Sequence, residues 1–241
     1  MQNNFDSLAE LHEDTIHIWN ISFEVNDNEL QSYFKLLSED EKERANRFRF
    51  FKDKKCFVVT RGALRLISSH YLNKEPEDII FEYEDYGKPK FKHSTNLNFN
   101  VSHSGNRAVI GFVYNHTIGI DIEKVKNDFD TFEIAANFFS KAEIDALSNI
   151  PKAEQYLAFY RCWTRKEAFI KAKGSGLSFP LDTFSVSLDS DIEASLLYTQ
   201  WDELEKDTWK LISFIPKEGY IAALITDSFV NNLGHFDWSH N

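Results

Sequence analysis

Apolar and polar positions change period along the chain often enough to trace its elements. In residues 15–21, TIHIWNI, Ile16, Ile18 and Trp19 mark an alternation that predicts a strand. Ser38, followed three residues later by Glu41, has the form of a capping box, and the helix it opens carries Lys42, Arg44 and Arg47. A longer helix is predicted over residues 52–72, with Phe57, Leu64, Ile67 and Tyr71 facing inward. Tyr86-Gly87-Lys88-Pro89 is a turn, and residues 97–101 and 108–114 read as strands about the turn Ser104-Gly105-Asn106. Residues 117–122 give another strand, residues 132–139 and 141–148 two helices, and residues 154–173 the clearest helix, closed by Gly174 and Gly176. Later strands are predicted at 184–188, 209–215 and 220–225. Both halves mix strands and helices without strict βαβ alternation, so the expected class is α+β rather than a doubly wound sheet. A boundary near residue 116 divides the chain into halves 1–116 and 117–241.

Composition narrows the picture. With 241 residues, 42% apolar and 27% charged, the chain can bury a core as one large domain or two small ones. That excludes a collagen, a disulfide scaffold and a disordered polymer. No apolar run approaches the roughly 20 residues a membrane helix needs, so no membrane association is expected. Asp6, Glu10, Glu13 and Asp14 stand near the start without any Lys or Arg, the opposite of a secretory leader. Two cysteines, Cys56 and Cys162, make no disulfide framework, and a reducing, cytoplasmic home is expected. The net charge of −11 argues against nucleic-acid binding. Residues 42–65 nevertheless hold nine Lys or Arg against Glu43 and Asp53, a local +7 within a chain whose remainder is −18. Such a segment suits a polyanion, or else is simply a solvated helix face.

Three constellations could carry chemistry. In Gly119-Ile120-Asp121-Ile122-Glu123, side chains two apart share a strand face, so Asp121 and Glu123 point one way and Ile120 and Ile122 the other. Two hard oxygen ligands on one face suit Mg²⁺, with water and substrate phosphate completing the shell. The rival reading is an edge strand with a wet acidic face. On a helix, Trp163, Glu167 and Lys171 form one stripe, spaced i, i+4, i+8. Glu167 suits a third ligand or a general base, and Lys171 a phosphate contact; the rival is an exposed Glu-to-Lys pair. In Asn100-Val101-Ser102-His103-Ser104-Gly105, a strand end with small residues and a His suits phosphate contact. A Ser102–His103 nucleophilic pair is disfavoured, because neighbours on a strand face opposite ways. No zinc, P-loop, Rossmann or G-x-S-x-G signature is present.

In combination and in this order, FNVSHSG, IGIDIE and a W-x-x-K-E-A-x-x-x-K helix resemble the 4′-phosphopantetheinyl transferases of the Sfp type. RFRFFKDKK (47–55), TRGALRLIS, YGKP, FFSKAE and the Gly-Leu-Ser-Phe-Pro-Leu-Asp-Thr-Phe run (176–184) are similar too, so the likeness spans roughly residues 15–225. The resemblance implies two similar α+β halves with coenzyme A in the cleft between them, the first half meeting the nucleotide and the second carrying the metal-binding acids. It implies transfer of the phosphopantetheine arm of coenzyme A to a serine of an apo acyl, peptidyl or polyketide carrier protein, releasing 3′,5′-ADP, as in holo-carrier synthesis for fatty-acid, polyketide and nonribosomal-peptide assembly. It assigns Mg²⁺, with Mn²⁺ as a substitute, to Asp121, Glu123 and Glu167, the pyrophosphate to Lys171, coenzyme A contact to the Ser102–His103 pair, and the nucleotide end to Lys88. Arg44, Lys52 and Arg61 are its candidates for the 3′-phosphate, with Glu41 standing where the family often has a lysine. The serine proton would pass to a carboxylate or a water it holds, and Glu167 is the candidate. Glu143, in FFSKAE, matches an acid typical of the family without an evident physical role. A monomer is expected, since one chain supplies both halves of the cleft. The rival functions are another Mg²⁺-dependent nucleotide phosphotransferase, a non-catalytic module for an acidic partner, and a nucleic-acid binder using Phe48, Phe50 and Phe51.

Overall fold

A computed structural model describes residues 5, 10–93, 95–176, 178–227 and 229–239; Asp6 and Leu177 of the sequence signatures lie outside these. The first half runs β1 (Thr15–Ser22), α1 (Asp27–Leu36), α2 (Glu39–Arg47), α3 (Phe51–Leu72), β2 (Phe81–Tyr83), β3 (Pro89–Phe91), β4 (Leu97–Ser104) and β5 (Arg107–Tyr114). The second runs β6 (Ile118–Lys124), α4 (Thr131–Phe138), α5 (Lys141–Asn149), α6 (Gln155–Lys173), β7 (Phe184–Val186), β8 (Leu196–Thr199), β9 (Trp209–Phe214), β10 (Tyr220–Asp227) and β11 (Asn232–Trp238). The class is α+β, as the element pattern requires. Among the described residues no helix is long and apolar enough to cross a membrane.

A four-stranded sheet in the order β11-β1-β5-β4 and a three-stranded sheet in the order β6-β10-β9 form the frame. Side-chain alternation stacks them. Ile16 and Ile18 of β1 and Val109 and Val113 of β5 share one buried cluster with Ile118, Ile120 and Ile122 of β6 and Ala222 and Leu224 of β10. On the other face of the first sheet, Trp19, Ile21, Ile110 and Phe112 pack against Val58, Val59, Leu64 and Ile67 of α3. On the other face of the second, Ile221, Ala223 and Ile225 pack against Phe169 and other residues of α6. The order of layers is therefore helix, sheet, sheet, helix. Each fully buried Ile of the central layer contributes about 2 kcal/mol by removal from water, so the two halves are held together by apolar burial.

The last strand departs from an even division at residue 116. β11 lies parallel to β1, Thr15 opposite Asn232 and Ile21 opposite Trp238, and the Trp238 indole donates to the Tyr33 hydroxyl at 2.7 Å. The C-terminal half thus returns a strand to the first sheet. Five elements lie outside those read from hydropathy: α1, β2, β3, β8 and β11. α1 begins at a full capping box, Asn26 accepting from the backbone N–H of Asn28 and Glu29 while Glu29 accepts from that of Asn26.

Candidate active site

The site forms where the two sheets meet edge to edge. β4 ends the first sheet and β6 the second, and among the described residues no backbone ladder joins them. Instead, alternate side chains of β4 bond to β6. Asn100 Oδ1 accepts from the Ile120 N–H at 2.9 Å. The Ser102 hydroxyl donates to Asp121 Oδ1 at 2.8 Å. The Ser104 hydroxyl donates to Glu123 Oε2 at 2.7 Å and accepts from the Lys124 N–H at 3.0 Å. Asp121 and Glu123 therefore share a face, as their spacing predicts, but it is no wet edge: Asp121 is buried and Glu123 half-buried.

α6 closes the site from above. A Cβ built on Gly119 would stand 2.0 Å from the Ala168 carbonyl oxygen and 2.5 Å from the Ala172 nitrogen, so the helix backbone rests directly on β6. One strand repeat further on, Lys171 reaches down: its Nζ donates to Asp121 Oδ1 at 2.6 Å and to the Ser102 hydroxyl at 2.9 Å. Lys171 is thus paired with Asp121, not with Glu167 one turn away, and the exposed Glu-to-Lys reading falls. The helix ends at Gly174 in the left-handed region, φ 66°, its N–H bonded to the Ile170 and Lys171 carbonyls. Trp163 stands in the expected stripe, two turns before Lys171, but outside the cleft. It stacks on Phe159, centroids 5.9 Å apart, and meets Phe138 edge-on, so it serves the core beside α4.

Two buried carboxylate oxygens at this junction, Asp121 Oδ2 and Glu167 Oε1, have no hydrogen-bond partner. Burial, with Asp121 and Glu123 adding like charge against the opposing effect of Lys171, pushes the Glu167 carboxyl up to about 7. Glu123 is raised mainly by burial too, against the bond from Ser104. Among the described residues no three His, Cys, Asp or Glu side chains form a ready metal cage. Asp121, Glu123 and Glu167 are therefore not a preassembled ligand set, because Lys171 holds one Asp121 oxygen and Ser104 one Glu123 oxygen. The donors still fit a hard cation of low protein-ligand demand. Mg²⁺ takes one or two carboxylates and completes its shell with water and substrate phosphate, and the orphaned oxygens and crowded negative charge are what such an ion relieves.

A cleft of about 500 Å³ opens here, lined by Tyr86, Lys88, Asn100, Glu167, Lys171 and Gly176 among others. Lys88 reaches it but is engaged: its ammonium donates to the Lys171 carbonyl at 2.8 Å and that of Ile118 at 3.4 Å, tying the YGKP turn to the end of α6. His103, next along the strand, lies on the opposite face from Ser102 with its ring 6.5 Å from that of Phe23, and among the described residues no hydrogen bond joins the two. The remaining basic candidates lie apart from the carboxylates. Arg44 and Arg61 flank the same rings, with Arg44 5.1 Å from the Phe57 centroid and 5.7 Å from that of Tyr83. Arg61 is buried, donating to the Tyr83 hydroxyl at 3.0 Å and 3.5 Å from Glu41, with Nη1 unpartnered. Lys52 is exposed on the first turn of α3. Glu41 is a buried structural anchor, 2.8 Å from Arg65 Nε. Sequence reasoning missed Ser104, Asn100 and Gly119 as site builders; the period-two run Asn100, Ser102, Ser104 was their signal.

Comparison with known proteins places the chain. A family profile described as 4′-phosphopantetheinyl transferase superfamily matches residues 117–225, and one described as 4′-phosphopantetheinyl transferase, N-terminal, matches residues 22–112. The 4′-phosphopantetheinyl transferase HetI of Nostoc sp. is 35% identical over 221 residues, which cover 90% of this chain and 89% of HetI. The 4′-phosphopantetheinyl transferase Sfp of Bacillus subtilis is 37% identical over 172 residues, 71% of this chain and 75% of Sfp. The 4′-phosphopantetheinyl transferase psf-1 of Bacillus pumilus is 38% identical over 160 residues, 66% and 67% of the two chains.

Proposed function

The chain belongs to the 4′-phosphopantetheinyl transferase superfamily, and from that premise we propose that the cleft beneath α6 is where it carries out its reaction. The enzyme transfers the phosphopantetheine group to carrier proteins. In the proposed reaction the hydroxyl oxygen of the carrier serine attacks the β-phosphorus of coenzyme A. The bond between that phosphorus and the bridging oxygen breaks, 3′,5′-ADP leaves with the bridging oxygen and the bond electrons, and the serine proton passes to a base. The observation that supports this best is the pair of buried, unpartnered oxygens on Asp121 and Glu167 beside the Lys171 ammonium.

Each residue has a role in this reading. Lys171, held by Asp121 and Ser102, presents positive charge to the pyrophosphate before and during transfer. Glu167 receives the serine proton directly or through a water. Asp121, Glu123 and Glu167 would hold Mg²⁺, which when bound would supply charge neutralisation on the pyrophosphate of coenzyme A as 3′,5′-ADP leaves. Ser102 and His103 lie along the same strand end for phosphate contact. Lys88 secures the end of α6 from the nucleotide side, and Arg44, Lys52 and Arg61 of the first half, residues 1–116, are candidates for the 3′-phosphate. Residues 117–241 supply the acids and α6. One chain contains both sides of the cleft, so a monomer suffices, and two free, buried cysteines accord with a cytoplasmic setting. No observation favours a different nucleotide phosphotransferase or a non-catalytic module.

The test is incubation of the protein with coenzyme A and an apo carrier, with 3′,5′-ADP followed by chromatography. One equivalent of 3′,5′-ADP per carrier modified, lost on chelation and restored by Mg²⁺, is expected. Transfer at an unchanged rate in excess chelator would overturn the metal assignment.

A further inference from the structure

The side chains of Glu143 in α5 and Lys166 in α6 lie outside the cleft, and among the described residues their hydrogen bonds go to none that line it. Their side chains are 1% and 0% exposed, and Lys166 Nζ stands 2.8 Å from Glu143 Oε2. Lys166 spends its other two N–H groups on the carbonyls of Leu181 at 2.7 Å and Phe184 at 2.6 Å. Glu143 in turn accepts from the backbone N–H of Ser140 and of Val186, each at 2.8 Å. The pair thus nails one side of α6 to α5 and to β7.

A buried ion pair contributes little net stability compared with apolar side chains of the same volume. What it does impose is direction, because three donors and several lone pairs must all be met. Direction matters at this point of α6. Arg165, Lys166 and Glu167 are consecutive and all buried, and successive side chains on a helix diverge by about 100°. Arg165 is fixed outward to the Ser213 hydroxyl at 2.9 Å and the Ser187 carbonyl at 2.7 Å. Lys166 is fixed to Glu143. Glu167 takes the third direction, into the cleft. The contact of Gly119 with the backbone at Ala168 and Ala172 sets the height of the helix above β6, and rotation about the helix axis is left to side-chain bonds, among them that of Lys166 to a fully buried carboxylate outside the cleft.

We propose that the Glu143–Lys166 ion pair is a positioning device for transfer: it sets the rotation of α6, and so the angle at which Glu167 meets Asp121. The inference rests on the reading of Glu167 as part of the reacting site. It gives the acid of FFSKAE and the lysine of W-x-x-K-E-A one shared task. Neither is a catalytic residue.

The experiment compares Glu143→Gln, Lys166→Met and the double variant with the wild-type protein. Each single variant strands a buried charge and should lower Tm by roughly 10 °C. The double variant removes both charges and should melt within about 5 °C of wild type. Coenzyme A affinity by calorimetry should stay within about threefold, since Lys171 remains tied by Lys88 and Asp121. The rate constant kcat should nevertheless fall at least tenfold, with KM for coenzyme A little changed. Ser185→Ala is the control, because it removes the Ser140–Ser185 hydroxyl contact at 2.8 Å in the same region without touching the pair. Its kcat should match wild type. Should the double variant melt as low as the singles, all proteins are assayed at 15 °C with folding checked by circular dichroism, and the same criterion applies. A double variant with wild-type kcat, or a Ser185→Ala loss as large as that of the double variant, overturns the proposal. A wild-type protein that modifies no carrier would instead sink the underlying reading of the site.

Discussion

Replacing Gly119 by alanine puts the coupling between fold and chemistry under direct strain. The added methyl would lie 2.0 Å from the Ala168 carbonyl oxygen and 2.5 Å from the Ala172 nitrogen. Ordinary contact needs about 3.5 Å, so more than 1 Å must be found. Both obstructing atoms belong to backbone, and no rotamer change supplies it. α6 must therefore lift or slide relative to β6. Overpacking of this kind costs about 1–3 kcal/mol, which for a chain of this length lowers Tm by about 2–12 °C. The chemical effect is larger than the thermal one. Glu167 and Lys171 ride on the displaced helix, and a misplacement near 1 Å costs about 100-fold in rate. Ala172→Gly added to Gly119→Ala should recover little, since the Ala172 Cβ, at 3.0 Å, is the farthest of the three contacts. The assay is steady-state transfer to an apo carrier beside a thermal melt. Gly119→Ala with wild-type kcat and a Tm within 1 °C would show that α6 does not rest on β6 as described, and the spacing argument for the site would fail with it.

Glu167→Gln should lower kcat strongly while coenzyme A affinity changes little, whereas Lys171→Met should impair both KM and kcat, read by kinetics and calorimetry at matched Mg²⁺; near wild-type values for both would remove α6 from the site. Arg65→Met leaves Glu41 without its 2.8 Å partner and should destabilise by about 3–5 kcal/mol in a denaturant titration, with kcat unchanged at low temperature. Burial holds the His17 imidazole down at about 4, with its Nδ1 2.8 Å from the Tyr71 hydroxyl, so the folded state keeps it neutral. The unfolded chain binds a proton near pH 6.5, so this stability is complete well above pH 6.5 and is lost as pH falls toward 4, about 3 kcal/mol in all. His17→Gln should flatten that part of the stability profile, and an unchanged slope would count against it.

The elements carrying the site were legible because their signals are local. Ser38 with Glu41, the alternation in residues 118–123 and the Gly174 stop of α6 each encode their own geometry within a few residues. The shared face of Asp121 and Glu123 follows from strand pleat alone. The elements missed had weak local signals. α1 reads DNELQSYFKL, with one fully buried residue, Tyr33, and its definition comes from the Asn26 cap and from packing on α3. β11, NLGHFDW, buries little beyond Trp238 and exists because β1 offers it an edge. Partnerships across the fold were illegible for the same reason. Nothing near Lys88 in sequence announces the Lys171 carbonyl, and nothing near Glu143 announces Lys166. A basic residue in a basic segment could face ligand or core, and only packing sent Arg61 inward to Glu41 and Tyr83.

In the proposed reaction this chain moves a phosphopantetheine arm onto carrier proteins through the Asp121–Glu167–Lys171 junction. Intact mass spectrometry of apo acyl, peptidyl and polyketide carriers, after incubation with coenzyme A, Mg²⁺ and either the wild-type protein or Asp121→Ala, tests it most directly. The predicted result is a gain of one phosphopantetheine arm per carrier domain with wild type and none with a folded Asp121→Ala variant. Unmodified carriers with wild type, or equal modification by both proteins, would contradict it.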